Sequence, residues 1–159
     1  MRQKYIIGAV IPFSLGSMIL NGLINYLILL SRNQSEFSLE SMSLHAKSPL
    51  GVSLYMALLL TILFSAIAFT LLKNATQKTG MESNPLLLRS FWPDVFVIVL
   101  RNAIFSFGLI ILILELVQTQ VQFSFVNIIT ASFIAAFMAL AITGTTLFST
   151  FDSILSNKI

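Results

Sequence analysis

Apolar residues dominate four long stretches of the chain, and polar residues collect between them. The stretches cover residues 5–30, 50–72, 95–117 and 125–149, each at or beyond the roughly 20 residues that cross a hydrocarbon core about 30 Å thick. Bare backbone polar groups are not tolerated in lipid, and the runs are too long and too uniformly apolar for barrel strands, so the pattern predicts helices. The expected fold is an all-α membrane protein, a four-transmembrane-helix bundle of two consecutive antiparallel hairpins in one integral membrane domain spanning 1–159. The connections are 31–49, 73–94 and 118–124.

Composition supports this. Of 159 residues, 57% are hydrophobic and only 9% charged, against about 25% charged in soluble chains, and the mean hydropathy is +0.93. Too few charges remain to cover a surface facing water. Cysteine is absent, which excludes disulfides, thiolate catalysis and cysteine-held metals. The single histidine, His45, excludes a bis-histidine haem, and no cofactor or metal is expected. The formal charge of +3 comes from Lys and Arg flanking the spans, a signature of topology rather than of nucleic-acid binding. Arg2, Lys4, Lys73, Lys78, Arg89 and Lys158 place six cations on one side, against Arg32 and Lys47 on the other. The cation-rich side faces the cytoplasm, so both termini and the 73–94 loop are expected there, with 31–49 and 118–124 outside. A bacterial inner (plasma) membrane is the expected location.

The first stretch is too long for a signal-peptide core and is closed by no small-x-small cleavage site, so it reads as a retained helix. Pro12 within it is expected to kink the helix or to mark where regular helix begins. In the first connection, Phe37, Leu39, Met42 and Leu44 punctuate a polar stretch, which fits a short strand or a segment lying on the headgroups. Asn33-Gln34-Ser35 there is a glycosylation sequon, meaningful only in a eukaryotic secretory pathway. The second connection ends in Trp92, the sole tryptophan, placed as an interfacial anchor. Pro93 suits a first helical residue and Asp94 the positive end of the helix dipole. A weak internal repeat also shows: Pro12 precedes Asn21 by nine residues, as Pro93 precedes Asn102, and the same offset pairs Asn25 with Ser106.

Only the third stretch carries charges. Asp94, Arg101, Gly108 and Glu115 fall one heptad apart, so on a helix they form one slowly drifting stripe. A charge in a membrane helix costs roughly 2.5–3.5 kcal/mol. Arg101 is therefore expected to face other protein, with the remaining helices covering the stripe, or to reach the headgroups. At a rise of ~1.5 Å per residue Arg101 lies about 9 Å deep, level with hydroxyls at Ser14, Ser65, Thr70, Thr143 and Thr146. Glu115 lies level with Asn21, Asn25 and Asn127. Asn21 and Asn25 share one helix face with Ser14 and Met18, and a polar contact from that face to Glu115 would serve as interhelical glue or as a proton-linked site. The candidate ligand or partner site is thus Asp94, Arg101, Asn102, Glu115, Asn21 and Asn25. Small residues indicate where helices touch: Gly16, Ser17 and Gly22, then Gly108, then Ala131, Ala135, Ala136, Ala139 and Gly144.

No Ser-His-Asp set, H-E-x-x-H, aspartate pair or Gly-rich phosphate loop is present, and no enzymatic activity is expected. The expected function is contact: a small non-catalytic protein that packs against another membrane protein, or against itself, within the bilayer, as an accessory or assembly subunit or an immunity-type protein. The alternative is a small homodimeric transporter or channel using Glu115 and Arg101. In size and span number the chain resembles the four-span immunity proteins that shield bacteria from pore-forming bacteriocins, a likeness of architecture that covers no motif. The small multidrug-resistance transporters share its size and helix count, but their membrane glutamate lies in the first helix, where this chain has Asn21 and Asn25.

Overall fold

The computed structural model describes residues 2–31, 36–38, 49–80, 83, 85–89, 91–120 and 125–155; at some positions, Glu115 among them, the description stops at the backbone. Four helices are long and apolar enough to cross a membrane, as the hydropathy pattern predicts. They are α1 (Arg2–Ser31), α2 (Pro49–Thr79), α4 (Phe96–Gln120) and α5 (Ile128–Leu155), with a single short turn of helix, α3 (Pro85–Arg89), before α4. Many large apolar side chains point outward, for example Ile19 at 64%, Leu59 at 60% and Phe105 at 73% exposure. A belt of that extent is compatible with lipid rather than water.

Helix α1 runs through Pro12 as one element from Arg2, so Pro12 does not mark where helix begins. Helix α2 extends seven residues beyond its apolar run. Lys73 to Thr79 contain no Gly or Pro, and the helix stops where Gly80 takes a positive φ of 62°, the left-handed conformation that closes helices. Residues 73–79 are therefore helix rather than loop. Trp92 has extended backbone angles (φ −105°, ψ 131°), as the residue before a proline prefers. From Pro93 the backbone is helical and runs into α4, in keeping with its expected place at the helix start. Helix α5 continues to Leu155 because Phe151, Ile154 and Leu155 bury one more apolar turn.

Helix α5 is the hub. It packs against α1 along most of its length and against both α2 and α4; α1 and α2 touch, α2 and α4 touch less. The cross-section is a rhombus with α2 and α5 on the short diagonal. One apolar cluster gathers Ile6 of α1, Leu72 of α2, Val99 of α4 and Phe151 of α5. A second, at the opposite end, gathers Leu29, Leu54 and Ala135 with Phe107. Two short strands, β1 (Glu36–Ser38) and β2 (Phe125–Asn127), pair antiparallel with Phe37 opposite Val126. The α1–α2 and α4–α5 connections therefore meet at one end of the bundle. Strand β1 takes in Phe37 of the apolar punctuation, one of the forms that pattern allows; Leu39, Met42, Leu44, the sequon and His45 lie outside the described residues.

Candidate functional site

Between the two apolar clusters the helices meet through hydroxyls and amides. Thr143 of α5 donates to Ser17 of α1 at 2.8 Å and shares a 2.8 Å hydrogen bond with Thr61 of α2, so one side chain joins three helices. Asn21 donates through Nδ2 to the Ala135 carbonyl at 2.8 Å. Asn25 donates to the Ser53 hydroxyl. On the far side of α5, Thr145 donates to Ser106 at 2.7 Å and Asn102 to Thr150 at 3.2 Å. Other hydroxyls turn back on their own helix, as Ser14 does to the Val10 carbonyl (2.7 Å) and Ser65 to that of Thr61 (2.7 Å), the local solution open to Ser and Thr in helices. Among the described residues two buried oxygens, Asn21 Oδ1 and Thr146 Oγ1, have no hydrogen-bond partner.

Asn21, Asn25 and Asn102 of the expected site all make interhelical bonds, Asn21 and Asn25 from α1 and Asn102 from α4 on the far side of α5. Ser14, Ser17, Asn21 and Asn25 do form one buried face of α1, but that face turns to α5 and α2. The expected meeting of Asn21 and Asn25 with Glu115 falls on a side chain outside the described set.

The charged stripe corrects the sequence reading most clearly. Helix α4 buries Val95, Val99, Ala103 and Ser106 against its neighbours, a face of small and β-branched residues that admits close approach. At 100° per residue Asp94, Arg101 and Gly108 fall roughly on the opposite side, and all three are exposed. The other helices do not cover them. Among the described residues Arg101 has no ion-pair partner. Among the described residues Gly108 packs against no helix, since a Cβ built there would meet nothing within 4 Å. Only 17% of the apolar span of α4 is buried, against 44% for α2 and for α5. The physical reason is that the apolar face competing for the bundle interior is broader and better shaped for packing than the stripe.

Other small residues lie inside the bundle. Ala131, Ala135 and Ala139 are buried. A Cβ on Gly22 would come within 3.0 Å of the Ala136 Cβ, and one on Gly144 within 3.2 Å of the Ser14 hydroxyl, so α1 and α5 approach closely at both places. Trp92 is 59% exposed and forms an aromatic cluster with Phe96 (ring centroids 4.2 Å) and Phe91 (5.2 Å). Among the described residues no three His, Asp or Glu side chains converge as a metal would need.

The sequence reading missed the Ser17–Thr61–Thr143 junction. Depth arithmetic put Thr143 at a shared level with other hydroxyls but grouped them around Arg101. The usable signal was simpler: three hydroxyls at matching depth in three spans pair with each other. Comparison with protein-family models, with curated proteins and with solved structures finds no match.

Proposed function

We propose that this protein works by contact within the bilayer, binding a different membrane protein through the outward face of α4, in the manner of an accessory subunit, assembly factor or immunity-type protein. The observation that carries the reading is Arg101, exposed and, among the described residues, without an ion-pair partner, on the least buried span. Left in lipid it costs roughly 2.5–3.5 kcal/mol unless it snorkels, and a carboxylate on a partner helix removes that cost. Gly108, two turns along the same face, leaves room for a neighbouring backbone, and Phe105 at 73% exposure supplies an apolar anchor beside it. A second copy of this chain, inserted in the same orientation, would set Arg101 against Arg101, which favours a different partner. The interior amides and hydroxyls are largely occupied with one another, so no observation favours the transport reading. Both termini lie in the cytoplasm of a bacterial cell, by the distribution of Lys and Arg.

The test is photo-cross-linking in native membranes from positions 105 and 108, with Leu63 on α2 as control. The expected product is a heterologous adduct from α4 alone, reduced at least about tenfold by Arg101→Leu while the protein still inserts, since that change removes an insertion penalty. An adduct of twice the protein's own mass, or equal yields from Leu63, would sink the proposal.

A further inference from the structure

A groove of about 640 Å³ opens sideways between the first turns of α1 and the last turns of α2, lined by Lys4, Gly8, Pro12, Leu71 and Ala75 among others. That volume lies in the usual range of ligand pockets, about 300–1,000 Å³. Its breadth has a local cause. Gly8 contributes no side chain, and a Cβ there would meet nothing within 4 Å. The walls are apolar, and the cations stand at the mouth.

Lys4 lines the groove from α1. Lys78 follows Leu71 and Ala75 at helical spacing, so it continues the same face of α2 one turn beyond the wall. Both lysines are exposed. The two helices run antiparallel, since Asn25 meets Ser53 while Gly16 meets Phe64. Side chains lean toward the N-terminus of their own helix. Lys4 therefore leans out of the bundle end and Lys78 leans back toward it, which brings two ammonium groups to similar height above an apolar slot.

We propose that this groove binds one anionic phospholipid, an acyl chain lying against Gly8, Pro12 and Leu71 and the phosphate held between Lys4 and Lys78. The site is independent of the α4 face. Lys4 on one wall and Lys78 one turn beyond the other disfavour a second copy of the chain there, and a lateral opening to lipid suits a lipid better than a solute from water.

The test is native mass spectrometry of the full-length protein in mild detergent, titrated with phosphatidylglycerol and, separately, phosphatidylcholine. A lysine at the membrane surface is expected to favour the anionic lipid about fivefold. Lys4→Gln and Lys78→Gln should each lower phosphatidylglycerol retention by about that factor, and together about 25-fold, with phosphatidylcholine unchanged. Gly8→Leu should lower retention of both lipids by filling the slot. Leu71→Phe fills it from the other wall should Gly8→Leu fail to fold, as judged by circular dichroism. Inorganic phosphate in large excess should leave the lipid bound. Equal retention of the two lipids by the natural protein, displacement by phosphate, or loss on lysine replacement without loss on filling the slot would each overturn the proposal.

Discussion

The Thr143 hydroxyl holds three helices by two hydrogen bonds, so its removal is felt more than that of a hydroxyl with one cross-helix partner. Interhelical hydrogen bonds in membrane proteins average about 0.6 kcal/mol. Thr143→Val, nearly isosteric, should therefore cost about 1 kcal/mol, and Thr145→Val, which loses the single bridge to Ser106, about half as much. Unfolding in mixed SDS micelles reads both, and equal costs would show that one of the two Thr143 bonds contributes nothing to stability. At this scale the sequence was only half legible. Which residues are polar is plain from the chain, but the partner of each depends on how every helix is rotated. A serine or threonine also has its own preceding turn as an alternative, as Ser14 uses Val10. Arg101 misled for a related reason: its cost in lipid was read as a demand for cover from within the chain, although cover from another chain or from headgroups meets it equally well.

Glycines separate the helices into packed and open ones. Gly22 sits where α1 and α5 nearly touch, whereas Gly108 lies on the open side of α4. Gly22→Leu should force the two helices apart at a cost of about 1–3 kcal/mol or more, the usual scale for overpacking. Gly108→Leu should leave the unfolding of the isolated protein unchanged and reduce its cross-linking to a partner. Destabilisation by Gly108→Leu without loss of cross-linking would mean that the faces of α4 are reversed. The existence of each spanning helix could be read from hydropathy alone, because twenty apolar residues in lipid have one low-cost backbone conformation. Helix ends could not. The last two turns of α2 are polar, and their helicity rests on the absence of a breaker before Gly80, a weaker signal than apolarity. Packing also departs from the symmetry that the offset of nine residues suggests. A two-fold arrangement of hairpins would send Asn102 to α2 as Asn21 goes to α5, yet both asparagines bond to α5.

For the molecule as a whole, the pairing of β1 with β2 puts two connections at one end, and the count of Lys and Arg predicts that this end lies outside. Fusion of green fluorescent protein after the last residue should give fluorescent cells, and fusion of alkaline phosphatase there should be inactive. Fusions within the α1–α2 connection should show the reverse, and a uniform pattern at both sites would contradict the orientation. The hub arrangement has a further consequence during synthesis. Ser17 waits for Thr143, 126 residues later, and Asn21 for Ala135, 114 residues later. At about 5–20 residues per second, the ribosome takes about 6–25 s to cover the longer gap. Until then Ser17 and Asn21 lack these α5 partners, while Ser14 already bonds within α1 and Asn25 gains Ser53 as soon as α2 is in place, so slower translation through the α4 codons should lengthen the interval in which half of the α1 polar face awaits its bonds.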